Sequence, residues 1–229
     1  MKTNKLCIMR LSKYKNALYR LKLSGFVRVF SDNLADAIEA TASQVRKDFS
    51  IFGISGNKRG GYKIDELIEK LNIILGKDEL QKVIIVGLGK LGTALTHYTG
   101  FEKEEIKIVA AFDIDSTKFN HSDNQMIKQK EKTPVLPLEY LPEFVRKNNI
   151  KIGIITVPDV AAQQVVDIML SAGIKGVLNF APICLRGNDD CVINNVNLEV
   201  ELENLIYFVN ASTKAKGKID ANKKSFGRM

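Results

Sequence analysis

The stretch Lys82–Asp115, KVIIVGLGKLGTALTHYTGFEKEEIKIVAAFDID, decides the fold. It opens with the apolar run Val83–Val86 and turns on Gly87, Gly89 and Gly92. Leu91, Leu95 and Tyr98 then keep a helical register, and a second apolar run, Ile106–Phe112, ends in Asp113. Strand, glycine turn, helix, strand and distal acid, in that order, make a Rossmann βαβ unit. Gly87 allows the tight turn, Gly89 lets a pyrophosphate approach the backbone, and Gly92 lets helix and strand pack closely. A diphosphate there meets the unpaired amides and positive dipole end of the new helix. Asp113 lies 21 residues beyond Gly92, where an acid bonds both ribose hydroxyls of a dinucleotide and repels a 2′-phosphate. The residues Gly87, Leu88, Gly89, Lys90, Leu91, Gly92 and Asp113 are therefore a candidate cradle for NADH/NAD in preference to the 2′-phosphorylated forms. The rival reading is a doubly wound domain that keeps the turn and binds something else.

Downstream, residues 116–133 are polar and without periodicity, which predicts a long loop. A short helix is expected over Leu138–Val145, a buried strand over Lys151–Val157, and a helix over Val160–Ser171 that stops at Gly173. A further strand covers Lys175–Phe180. Thr156, Val157 and Pro158 then lie at one strand's carboxyl end and Asn179–Pro182 at another's, the edge where open α/β sheets bind ligands. Phe180 is a candidate neighbour of the nicotinamide ring, with ordinary core as its rival role. Cys191–Val196 reads as a last strand and Asn197–Val209 as a last helix, with Leu198, Leu202, Leu205 and Val209 spaced four, three and four. The remainder, 210–229, is polar and basic and reads as a disordered tail.

Upstream, Leu11, Tyr14, Leu18 and Leu21 recur at helical spacing and leave Arg10, Lys13, Lys15, Arg20 and Lys22 for other faces. Ser31 and Asp32 offer N-cap chemistry to a short helix carrying Leu34, Ala35 and Ile38. Ser43 offers the same to SQVRKDFSIF, whose Val45, Phe49 and Phe52 point inward. Two short helices joined by a tight turn, the second rich in cations and amides, make a helix-turn-helix. In that arrangement Arg46 and Gln44 reach base edges, and Ser43, Lys47 and Ser50 hold phosphates. In GISGNKRGGYKI, Lys58 and Arg59 sit at the tip of a candidate wing suited to a narrow minor groove. A helix from Asp65 to Leu75 closes the module, with the boundary near Gly76–Gln81.

The whole chain, 229 residues and 45% apolar, is enough for one good core or two small ones. No apolar run approaches the ~18–20 residues a bilayer span needs, and the N-terminus lacks a signal-peptide core, so a cytoplasmic protein without a membrane partner is expected. Cys7, Cys184 and Cys191 have no metal-ligand spacing, which leaves small buried fillers or, for the last two, a reversible thiol pair. Charge is segregated: residues 1–63 carry +9, residues 64–209 carry −6 and residues 210–229 carry +5. A basic head on an acidic body fits a polyanion-binding module joined to a separate domain.

SQVRKDFSIFG, the KRGGY wing, GLGKLG, AAFDID, Val157-Pro158 and LNFAP at Leu178–Pro182 together resemble the Rex family of redox-sensing transcriptional repressors, over about Arg10 to Val209. The resemblance implies an α/β protein with an N-terminal winged helix-turn-helix domain (1–80) and a C-terminal Rossmann domain with a doubly wound parallel sheet (81–209). It further implies a closing helix, 197–209, that crosses to the partner of a homodimer, and release from an inverted-repeat DNA operator when NADH fills the Rossmann sites. Tyr98 matches the family's tyrosine after the glycine loop and is a ring-proximal candidate. The chain departs from the family at Lys90, where Asn is usual, and at Asn197, where Asp is usual. Two alternatives remain: a Rex-like repressor that senses thiol oxidation or peroxide, and an NAD-dependent oxidoreductase, for which His97 and His121 are the only histidines to serve as acid or base.

Overall fold

In a computed structural model, residues 4–57, 59–119 and 133–226 are described, with side chains up to Thr213. The chain divides into two compact units, residues 1–81 with 101–105, and residues 82–100 with 106–229. In the first unit, α1 (Lys5–Leu23) starts at Asn4, whose side chain accepts the Leu6 amide. The strand β1 (Arg28–Val29) leads into α2 (Ser31–Ile38) and α3 (Ala42–Ile51). After a turn comes β2 (Tyr62–Lys63), which pairs antiparallel with β1, and then α4 (Ile64–Ile74). An Asn57–Gly61 bridge closes the loop ahead of β2, so a small wing is present. Leu11, Tyr14, Leu18, Leu34, Val45, Phe49, Ile64, Leu67 and Leu71 form the core beneath the helices. They are the apolar faces that helical periodicity marks out.

Both predicted serine caps are displaced by a residue or two. Phe30, not Ser31, is the N-cap of α2, and Asn33 Oδ1 reaches back to the Phe30 amide at 3.0 Å. Thr41, not Ser43, caps α3, its Oγ1 accepting the Gln44 amide at 3.2 Å. A hydroxyl must precede the first helical residue to meet the free amides, and Thr41 stands closer to that place than Ser43 does.

The second unit is a six-stranded sheet in the order β5-β4-β3-β6-β7-β8, from β3 (Gln81–Val86), β4 (Ile106–Asp113), β5 (Val135–Pro137), β6 (Ile152–Ile155), β7 (Gly176–Asn179) and β8 (Val192–Asn195). Pairs β3–β6, β4–β5, β6–β7 and β7–β8 are parallel. Counted within the unit this is the strand order 3-2-1-4-5-6 of a doubly wound dinucleotide fold, whose chain reversal lies between β3 and β6. The connecting helices are α5 (Lys90–Thr96), α6 (Leu141–Asn148) and α7 (Asp159–Ala172). Leu141, Val145, Ala162, Val165, Val166 and Met169 bury against Ile84, Val86, Phe112 and Ile155.

Periodicity does not reveal β1 and β5, which are two and three residues long. The expected helix over 138–145 is a 3₁₀ turn, Leu138–Tyr140, followed by α6. The last helix, α8 (Leu198–Phe226), runs far beyond Val209 into the stretch expected to be a disordered tail. Residues 210–226 hold five lysines and three alanines and contain no proline, and the single Gly217 lowers helix propensity without breaking the helix. Asn197 Oδ1 caps α8, accepting the amides of Glu199 at 3.0 Å and Val200 at 3.1 Å. Of the loop expected over 116–133, residues 120–132 lie outside the described ones, as do Lys58 and the final residues 227–229. Among the described residues no helix is long and apolar enough to cross a membrane.

Candidate functional site: a nucleotide cavity and a basic helix

At the carboxyl ends of β3 and β6 lies a cavity of about 760 Å³, lined by Val86, Gly87, Leu88, Gly89, Asp113, Ile114, Asp115, Lys118, Leu138, Thr156, Val157, Pro158, Ala161, Gln164 and Val165. Its place at the chain reversal and its size suit a small-molecule cleft. Seven of the twelve cofactor residues expected from sequence line it: Gly87, Leu88, Gly89, Asp113, Thr156, Val157 and Pro158. Lys90, Leu91, Gly92, Tyr98 and Phe180 do not. Lys90, Leu91 and Gly92 form the first turn of α5, where they serve the helix start. Tyr98 follows α5, and its ring lies against Gly100. Phe180 is half-buried, its amide bonded to the Ile155 carbonyl at 2.9 Å.

The three glycines are needed for different reasons. Gly87 has φ +95°, and a Cβ there would lie 2.8 Å from Val157 Cγ1. A Cβ on Gly92 would overlap the Gly87 carbonyl oxygen, to which Thr156 Oγ1 also donates at 2.7 Å. The protein's own folding requires both. At Gly89, by contrast, a Cβ meets nothing within 4 Å. It would project into open space beside the cavity, the room a pyrophosphate on the backbone takes up, so the lining fits a dinucleotide.

Asp113, which lines the cavity, is held by three donors of the protein itself. Its Oδ2 accepts the Leu88 amide at 2.7 Å and Lys118 Nζ at 2.9 Å, and its Oδ1 accepts the Asp115 amide at 2.9 Å. Burial alone would raise its pKa, but these donors outweigh it and hold the carboxyl below its ordinary range. A carboxylate has about four acceptor positions, so one is open and the flexible Lys118 occupies another. Sequence reading misses Lys118. The lysine follows the distal acid by five residues, and that spacing is the signal that could have found it.

In the first unit, α3 presents Ser43, Arg46, Lys47 and Ser50 to solvent, as expected. Gln44 differs: it is half-buried and its Nε2 donates to Asp48 Oδ1 at 2.8 Å. Arg46 lines a groove of about 360 Å³ with Phe30, Asp32, Asn57, Gly61 and Tyr62. Arg59 is exposed at the wing, its amide bonded to Asn57 Oδ1 at 2.8 Å. Lys58, the other wing cation, lies outside the described residues.

Asp48, missed by sequence reading, is the centre of a buried polar cluster. Besides Gln44 it accepts Arg10 Nε at 2.6 Å, Arg10 Nη2 at 2.8 Å, Tyr14 Oη at 3.0 Å and Cys7 Sγ at 3.4 Å. Burial would raise its pKa, but the hydrogen bonds from Arg10, Gln44, Tyr14 and Cys7 overcome this and the net shift is downward, so it is ionised at neutral pH. Burial pushes the Cys7 thiol up, which makes it a poor nucleophile. Cys191 is pushed up by burial too, and all three cysteines are free thiols.

Residues 5–50 match the family "Putative DNA-binding protein N-terminus", and residues 78–183 match the "CoA binding domain" family. The "Redox-sensing transcriptional repressor Rex" of Carboxydothermus hydrogenoformans is 40% identical over 200 residues, covering 87% of this chain and 93% of that protein. Its counterpart in Bacillus subtilis is 38% identical over 200 residues, covering 87% and 89%. Among solved structures, the Rex-family repressor RSP in complex with β-NAD⁺ and operator DNA superposes with a TM-score of 0.85 at 34% identity, covering 95% of this chain and 97% of that one. RSP in complex with β-NADH gives 0.81 at 34% identity, covering 95% and 99%. Identity at this level, spread over both units and accompanied by the same architecture, leads to one conclusion: the chain belongs to the Rex family of redox-sensing transcriptional repressors.

Proposed function

We propose that this chain is a homodimeric, cytoplasmic repressor that holds an inverted-repeat DNA operator through α3 and the wing and releases it when NADH occupies the cavity at the end of β3. The observation that carries this reading is the pairing, in one chain, of a cationic helix-turn-helix with a glycine-lined cavity fitted to a dinucleotide. The similarity to RSP, solved with β-NAD⁺ and operator DNA and with β-NADH, supports it. Exposed Leu198, Leu202, Leu205, Ile206 and Phe208 on α8 support the dimer, since a helix this apolar needs a covering surface. NADH acts by population shift: it must bind the DNA-incompetent arrangement better than the competent one. Gly87, Leu88 and Gly89 hold the pyrophosphate, and Asp113 holds the adenosine ribose. Thr156, Val157 and Pro158 wall the cavity. The nicotinamide supplies the redox difference being sensed, and no chemical step occurs on the protein. Titrating a preformed DNA complex with NADH and then NAD tests the reading: release by NADH at far lower concentration is expected, and equal response to both overturns it.

Alanine in place of Arg46 or Lys47 should weaken operator binding about tenfold or more, and each change should reduce the salt slope by about one unit, because a cation near the duplex is lost. NADH affinity should be unchanged. An Arg46→Ala protein with full affinity in a gel shift would remove α3 from the groove.

The nucleotide side gives a second test. Asp113→Ser removes the charge that repels a 2′-phosphate and frees Lys118 to meet one, so NADH affinity should fall about tenfold and the preference should turn toward NADPH. Unaltered selectivity in a fluorescence titration would place the ribose elsewhere. For the thiol-sensing alternative Cys7 is unsuited, being buried with its thiol pKa raised, whereas Cys184 is exposed.

A further inference from the structure

We infer that Asp48 is a positioning residue that fixes the orientation of the Gln44 amide, so that the Gln44 oxygen is the end presented to the major groove and reads the exocyclic amine of one adenine or cytosine. This deepens the repressor reading and rests on it. An unconstrained glutamine can present either end of its amide and so pairs with amine-bearing or carbonyl-bearing bases. Here one N–H is committed, and the orientation of the amide with it. Asp48 is buried, with a side-chain exposure of 1%, and Arg10 grips it through two nitrogens at 2.6 and 2.8 Å. As a carboxylate it can only accept, so the amide group that meets it at 2.8 Å has to be the NH₂. The amide oxygen of Gln44 is thereby turned away from the carboxylate, and it accepts no hydrogen bond from the described residues. Gln44 lies one helical turn before Asp48 and two residues before the exposed Arg46. That places it in the amino-terminal part of α3, the region of a recognition helix that meets base edges.

The arrangement also explains why a polar cluster is buried under a DNA-facing helix. Arg10 and Tyr14 of α1 fix the carboxylate, and the carboxylate fixes the reader. Orientation is set before DNA arrives, so less freedom is lost on binding.

The test uses the full chain and the duplex it selects from a random-sequence library. At each position of the selected half-site, the base is replaced by an analogue without its exocyclic amine, purine for adenine or 2-pyrimidinone for cytosine. At one position the loss of the amine should weaken the wild type about fivefold, the worth of one hydrogen bond, and leave Gln44→Ala unaffected. Asp48→Asn, whose amide can donate and so lets Gln44 turn over, should lose the preference for amine-bearing over carbonyl-bearing bases at that same position alone. A merely structural Asp48 would lower affinity for every duplex alike. If Asp48→Asn fails to fold, the apolar pair Arg10→Met with Asp48→Leu takes its place, and discrimination retained in that protein overturns the inference. Amine deletion that is silent at every position, or that affects Gln44→Ala equally, overturns the inference and leaves the repressor reading standing. A selection that returns no duplex overturns both.

Discussion

Gly92→Ala should weaken dinucleotide binding roughly 100-fold and loosen the second unit while the first unit keeps its stability. The added Cβ would overlap the Gly87 carbonyl oxygen and lie 2.8 Å from Thr156 Oγ1. Neither neighbour can yield easily. The carbonyl belongs to a turn held at φ +95°, and Thr156 Oγ1 is itself bonded to Gly87 O at 2.7 Å and to Val86 O at 3.2 Å. The first turn of α5 must therefore move off the loop. Overpacking at so rigid a point costs about 3 kcal/mol, and if that cost falls on the bound geometry it is roughly 100-fold in affinity. Gly89→Ala is the control. Its Cβ meets no protein atom within 4 Å, so its melting temperature should match the wild type while NADH affinity falls. Thermal melts with fluorescence titrations separate the two effects. A Gly89→Ala protein that binds NADH normally would move the pyrophosphate away from this loop.

Arg10→Ala should destabilise the first unit by about 3 kcal/mol, because removing one partner of a buried pair leaves the other charge uncompensated. Asp48 has a side-chain exposure of 1% and Arg10 27%. Tyr14, Gln44 and Cys7 still donate to the carboxylate and hold the loss to the low end of the usual range. The penalty must depend on pH in a fixed direction. The Asp48 pKa is lowered on folding, burial opposing and the four donors prevailing. Its contribution is therefore fully present above the unfolded value of about 3.9 and is lost as pH falls toward the lower folded value. In Arg10→Ala the main donor is gone and the folded pKa rises, so the difference from wild type should be large near neutral pH and shrink below about pH 4. Urea unfolding at two pH values measures this, and equal penalties at both would show that Arg10 acts through packing alone. An apolar replacement of both partners, Arg10→Met with Asp48→Leu, should recover most of the stability. Base discrimination should not return with it.

Much of this protein follows from local pattern. The glycine turn, the distal acid Asp113, the apolar strands β3 and β4, the helix-turn-helix and its cationic face are all legible in the chain, because each shows as a residue type at a short or fixed spacing. Glycine spacing marks the turn at Gly87 and the close packing at Gly92. What the chain conceals is of two kinds. Elements such as β1 and β5 are too short to show a period, and they exist because a partner strand is already in place. The helix α8 passes Val209 because the stretch beyond it lacks proline and holds good helix formers, a fact the polar character of 210–226 disguises.

The second kind bears on function. Gln44 reads in sequence as one more solvent-facing amide, and Lys118 as one more loop lysine. Only the tertiary structure ties Gln44 into a cluster with Arg10, 38 residues from Asp48, and sets Lys118 on Asp113 at the cavity. The physical reason is one of range. Periodicity, capping and turn chemistry act between residues close along the chain, so the amino-acid sequence by itself determined the two folds and the class of each ligand. Hydrogen-bond partners and charge pairs are chosen by proximity in space, so which side chains are free to meet those ligands was decided only when the chain had folded.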